Sequence, residues 1–131
     1  MKYRIEIDKK QARYIAHAVE MYSRMQGGQI ELNFLKPLQE AIWNSKNYDY
    51  QRIVDNLLGV IKNLVYPDLG VGGNFHSEES DMGYDIYKSI LEQFEKDRME
   101  EEGDNYSSNV HTPPFRPFLS KPKPKVEKIG T

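Results

Sequence analysis

The sequence contains no cysteine, no long apolar run and no excess of positive charge, and each absence excludes a class of protein. Without cysteine, the 131-residue chain forms no disulfide, thiolate nucleophile or cysteine-ligated zinc site. No apolar run approaches the ~18 residues of a membrane span, and residues 1–6 lack the apolar segment of a secretion signal. A net charge of −2 argues against general nucleic-acid binding. We therefore expect a soluble protein of the cytoplasm.

Composition divides the chain into a body and a tail. Residues 103–131 hold five of the seven prolines and no helical apolar period, so we expect a flexible, extended segment. Within it, residues 113–119 carry two phenylalanines and a leucine, which favours docking on the body or on a neighbouring subunit. The expected organisation is a helical domain over 1–102 followed by this tail. A body of about 100 residues buries only part of its surface, so we also expect a homo-oligomer.

Apolar periodicity predicts a mainly α-helical fold of about four helices with a short N-terminal β-strand. Residues 2–7 alternate polar and apolar side chains, which is typical of a half-buried strand. Asp8 and Gln11 have the spacing of a capping box for the first helix, and Gly27 and Gly28 end it. Apolar residues at i, i+3 and i+4 spacing predict the later helices, over about 34–44, 49–65 and 78–99.

The helix over 49–65 has the clearest pattern of the four. Its apolar stripe consists of Tyr50, Ile53, Val54, Leu57, Leu58, Ile61, Leu64 and Val65. A stripe of this kind ordinarily faces a protein core. Gly59 lies within the helix and costs about 1 kcal/mol relative to alanine, so we interpret it as the point of a close helix contact.

No group of residues has the spacing of a known catalytic or metal-binding motif. The glycine-rich segment 70–76 lacks the Gly-Lys-Ser/Thr of a P-loop, and Phe75 stands at the third glycine position of a dinucleotide fingerprint. His76 and the carboxylates after it lack metal-ligand spacing, and acidic residues are common at a helix start. We therefore expect a protein that is not an enzyme and uses no metal or cofactor.

Nine tyrosines, together with an arginine at a helix end, support a sharper hypothesis. Tyrosine at helical spacing usually lies at a core edge or an interface. Aromatic rings also stack on bases, an arginine can grip a phosphate with two hydrogen bonds, and amide side chains can bond to a base edge. The candidate ligand-binding residues for a nucleotide-like molecule are Tyr22, Arg24, Gln29, Asn74, Phe75, Tyr84 and Tyr87.

Two motifs in this order resemble a family of small phage-encoded proteins. The first is Tyr-Ser-Arg at 22–24 followed by Gly-Gln at 28–29, and the second is Tyr-Asp-Ile-Tyr at 84–87. The resemblance covers most of residues 2–98. It implies a host-manipulating factor in the host cytosol. One such role is anti-defence: a compact oligomer binds and sequesters a nucleotide immune signal without chemistry. The alternative is a protein–protein interaction module that inhibits a host protein by direct contact.

Overall fold

The computed structural model describes residues 1–102 and 124–130, and within these ranges it is mainly α-helical. It contains four α-helices and one short 3-10 helix: α1 Lys9–Gln26, the 3-10 helix Leu32–Phe34, α2 Lys36–Ser45, α3 Asp49–Val65 and α4 Glu78–Glu102. The predicted four helices are confirmed, and α3 has the predicted ends; α2 begins at Lys36 instead of residue 34, after the 3-10 helix, and α4 continues to Glu102 instead of residue 99. Residues 113–119 lie outside the described residues.

The predicted N-terminal strand over 2–7 is wrong. None of the described residues forms a β-strand, so none of them serves this segment as a strand partner. A single strand without a partner is not stable in water. Tyr3 and Ile5, which the alternation assigns to a buried face, are 84% and 75% exposed.

Both ends of α1 follow the local signals in the sequence. The N–H of Gln11 donates to Asp8 Oδ1 at 2.7 Å, and the N–H of Asp8 donates to Gln11 Oε1 at 3.0 Å. This reciprocal pair is the predicted capping box. At the other end, Gly28 has a φ of 82°, and the N–H of Gln29 donates to the Arg24 carbonyl at 2.9 Å. A left-handed glycine with this hydrogen bond ends the helix.

The chain divides into two compact units. The first comprises residues 1–20 with the described part of 81–131, and the second comprises residues 21–80. The greater part of α1 therefore belongs to the first unit and its last residues to the second. The division into a helical domain over 1–102 and a tail stays a prediction.

The core of the first unit forms where α1 meets α4. Its buried apolar residues are Ala16, Tyr84, Tyr87 and Ile90. Val126, from the segment 124–130, packs against this cluster. The Ser89 hydroxyl oxygen lies 2.8 Å from the Asp85 carbonyl oxygen and 3.4 Å from that of Pro124. The segment 124–126 thus completes this core.

In the second unit, the 3-10 helix lies against both α2 and α3. The buried apolar side chains of this unit are Leu32, Leu35 and Ile42. Pro37 stands in the first turn of α2, where its missing N–H costs little. The N–H of Leu32 donates to Asp55 Oδ1 at 3.3 Å, which ties the 3-10 helix to α3.

Candidate functional site

One side of α3 exposes large apolar side chains. Seven side chains of α3 are between 47% and 78% exposed, and six of these lie close together around the helix: Tyr50, Ile53, Leu57, Val60, Ile61 and Leu64; the seventh is Val65. At about 100° of rotation per residue, these six lie within an arc of roughly 100° close to Leu57. We call this surface the α3 apolar face. Its exposure reverses the usual expectation that an apolar stripe faces a core.

The side of α3 that faces the rest of the second unit is partly polar. Lys62 is buried, and Asp55 is bonded to the backbone of the 3-10 helix. The charged residues of α3 all lie outside the arc of the α3 apolar face: Asp49, Arg52, Asp55 and Lys62. Polar contacts therefore hold α3 in its unit and leave its most apolar side exposed.

The close helix contact predicted at Gly59 is wrong. A Cβ added at this position meets no atom within 4 Å, apart from the helix's own backbone. Gly59 therefore occupies open space, and no described neighbour requires a glycine there.

Lys62 and Glu31 form a buried ion pair that anchors the glycine-rich loop. Their side chains are only 3% and 12% exposed. Lys62 Nζ also donates to the Gly73 carbonyl at 2.8 Å, and Glu31 Oε1 accepts the N–H of Gly72 at 2.9 Å. Each charge therefore bonds both to its partner and to the loop backbone. Sequence reasoning missed this pair because its residues are 31 positions apart and match no motif.

Phe75 connects the same loop to the end of α1. Its N–H donates to the Gly27 carbonyl at 2.9 Å, and its ring centroid lies 5.4 Å from that of Tyr66. A Cβ at Gly27 would lie 2.9 Å from the Phe75 carbonyl oxygen, so the two backbones approach closely. The ring is 38% exposed and already contacts another aromatic side chain. The ring therefore packs on Tyr66 in this arrangement, and its part in ligand binding stays a prediction.

Arg24 and Gln29 lie side by side at the turn that follows α1. Arg24 Nη1 donates to Gln29 Oε1 at 3.1 Å. The guanidinium carbon lies 4.8 Å from the centroid of the Phe34 ring, a cation–π distance. Gln29 is buried. The pair combines a cation with an amide, which is the chemistry predicted for a phosphate and a base edge, but both groups already make intramolecular contacts.

The remaining predicted ligand residues occupy different environments. Tyr22 and Asn74 are exposed in the second unit. Tyr84 and Tyr87 belong to the first unit, where their rings pack edge to face at 5.8 Å in the core. They are 8% and 9% exposed, so a base cannot stack on them while that core stays closed. The structure thus brings Arg24 and Gln29 into contact, and ligand binding by the set stays a prediction.

A shallow cleft lies on the second unit. Its volume is about 420 Å³, and it is lined by Leu32, Asn33, Gln39, Tyr48, Gln51, Arg52 and Asp55. Its lining includes one arginine, one carboxylate and several amides. None of the predicted ligand-binding residues lines it.

The described residues contain neither a metal-binding cluster nor a membrane-spanning helix. No three histidine or carboxylate side chains converge within residues 1–102 and 124–130. No helix in these ranges is long and apolar enough to cross a bilayer.

No protein-family model, curated protein or solved structure matches the chain. The resemblance to small phage-encoded proteins therefore stays a prediction.

Proposed function

We propose that this protein is a non-enzymatic interaction module that docks on a protein surface through the α3 apolar face. The supporting observation is the exposure of six large apolar side chains on one side of one helix. Together they present on the order of 600 Å² of apolar surface, which is as large as the largest patch on a typical monomer. Patches of this size commonly mark interaction sites.

The way α3 is held also favours docking. The Glu31–Lys62 ion pair and the Asp55–Leu32 hydrogen bond fix the helix from its polar side. A partner that covers the apolar side therefore meets a helix that is already formed, so little entropy is lost on ordering it. The anchors at i, i+3, i+4 and i+7 are those of a helix that packs against another helix or lies in an apolar groove.

Partner capture with one pair of variants tests this function. Leu57→Glu places a carboxylate at the centre of the α3 apolar face, whereas Asn56→Glu places the same charge on the adjacent, exposed position. We expect wild type and Asn56→Glu to capture the same partner from host lysate, and Leu57→Glu to lose it. Far-UV circular dichroism establishes that all three are folded. Equal capture by the three proteins would refute docking through this face.

Sequestration of a nucleotide-like ligand is the second proposed function, supported by the contact between Arg24 and Gln29 at a glycine turn. Native mass spectrometry after exposure to a nucleotide mixture tests it. We expect wild type to retain a mass of several hundred daltons, and Arg24→Ala to lose it. Arg52→Ala, which alters the cleft instead, should retain it. If Arg24→Ala still retains the ligand mass, Arg24 is not part of the binding site. If only Arg52→Ala loses the ligand mass, the binding site is the cleft.

The resemblance to small phage-encoded proteins supplies the biological setting for both proposals. In that setting the docked protein would be a host factor, and the ligand would be an immune signal. Both roles need binding and no chemistry.

A further inference from the structure

We infer that the α3 apolar face pairs with the same face of a second copy of this chain. This inference rests on the proposed docking role of the face: in the free protein a second copy occupies it reversibly, and a host protein would displace that copy. Three properties support a second copy: the spacing of the apolar residues, the placement of the charges and the area available.

Four of the exposed apolar residues are spaced symmetrically about Leu57. Tyr50 and Leu64 lie seven residues on either side of it, and Ile53 and Ile61 lie four residues on either side. Homodimers usually have a two-fold axis, which brings identical patches together. With that axis at Leu57 and the helices antiparallel, Tyr50 packs against the partner's Leu64. These two pairs, and Leu57 opposite its own copy, then bring large apolar side chains together across the axis.

The same face has the spacing of a helix pair. Positions 50, 53, 57, 60 and 64 alternate steps of three and four residues, which is the apolar seam of two helices packed side by side. A seam of this kind fits another helix that carries the same seam. The α3 apolar face of a second copy is such a helix.

The distribution of charge permits self-pairing. All charged side chains of α3 lie outside the arc of the α3 apolar face. Two copies in contact therefore neither bury an unpaired charge nor bring like charges together along the seam. The antiparallel arrangement also aligns the two helix dipoles favourably. Because the face carries no charge, it offers no charge complementarity to a strongly acidic or basic partner.

The available area matches what a dimer needs. Each copy offers on the order of 600 Å² of apolar surface, so pairing removes on the order of 1,200 Å² in total. That value lies at the lower end of the range for stable, specific interfaces. We therefore expect a reversible dimer that dissociates on dilution.

Sedimentation equilibrium of the full chain, from low to high micromolar concentration, tests the pairing. We expect the wild-type mass to rise with concentration toward twice the 15.3 kDa of the chain. Leu57→Glu places two carboxylates opposite each other at the axis and should weaken the dimer on the order of 100-fold. Asn56→Glu should dimerise like wild type. Leu64→Lys is a second disrupting variant, at a position 78% exposed and so not needed for folding of the chain.

The outcomes separate this inference from the proposed function. A folded wild type that stays monomeric at every concentration would overturn the second copy as occupant. The lysate capture would then still decide whether another protein docks on the face. A dimer that survives both Leu57→Glu and Leu64→Lys would place the contact elsewhere and overturn the inference directly.

Discussion

Removing Lys62 is expected to destabilise the second unit strongly. Lys62→Met keeps the length and apolar stem of the side chain but deletes the ammonium that pairs with Glu31. The Glu31 carboxylate is then left nearly buried, with the N–H of Gly72 as a remaining donor, and the Gly73 carbonyl loses its donor. Removing one partner of a buried pair costs roughly 3–5 kcal/mol, because the other charge stays desolvated and uncompensated.

The size of this effect makes it easy to measure. Domains have a total free energy of unfolding of about 5–15 kcal/mol, so the substitution removes a large share of it. A loss of that size corresponds to a fall in Tm on the order of 10 °C for a chain of this length. Urea unfolding followed by the fluorescence of Trp43 reports on the second unit, because this single tryptophan lies in α2. All proteins are compared at one concentration, since self-association would stabilise the folded state.

Matched variants distinguish the ion pair from the loss of a long side chain. Lys36→Met changes an exposed lysine of the same unit and should shift the free energy of unfolding by less than about 0.5 kcal/mol. The double variant Glu31→Leu with Lys62→Met removes both charges and should recover most of the loss, because no unpaired charge stays buried. If Lys62→Met costs less than about 1 kcal/mol, the argument for a buried, coupled pair is wrong.

Four further substitutions test packing and capping. Gly73→Ala should lower the free energy of unfolding in urea by about 1–3 kcal/mol, because its Cβ would overlap a backbone carbonyl oxygen of the same loop. Gly59→Ala, in open space within α3, should instead raise it by up to about 1 kcal/mol. Equal effects of the two substitutions would refute this comparison. Asp8→Ala removes half of the capping box and should cost about 0.5–2 kcal/mol, seen as faster hydrogen exchange in the first turn of α1; unchanged exchange would contradict it. Ile90→Ala opens a cavity in the core of the first unit and should lower the free energy of thermal unfolding by about 2–5 kcal/mol; a loss below about 1 kcal/mol would mean that this core is not tightly packed.

The contrast between α1 and residues 2–7 shows how far local patterns reach. The capping box of α1 joins residues three positions apart, so its hydrogen bonds form whenever that turn is helical. A strand has no such internal partner and exists only where another segment supplies its backbone hydrogen bonds. Residues 2–7 have the alternation of a strand without a described partner, and they are not one.

In the candidate site, too, some features depend on neighbouring residues and others on residues far away in the chain. Arg24 and Gln29 lie close together because they flank a helix end and a short turn, and their role in ligand binding stays a prediction. The burial of Tyr84 and Tyr87 depends on α1 and on Val126, which are far from them in the chain. Periodicity alone therefore left packing and ligand stacking as alternatives for these two rings.

For this protein, the sequence by itself determined the four helices, both ends of α1 and the ends of α3, because helix formation depends on residues within one or two turns. It also determined that α3 has one strongly apolar side. Only the tertiary structure decided which side of α3 faces inward. That choice depends on Glu31 and the 3-10 helix, which reach Lys62 and Asp55 from more than 20 positions away. Because these polar contacts hold one side of the helix, the apolar side is left exposed.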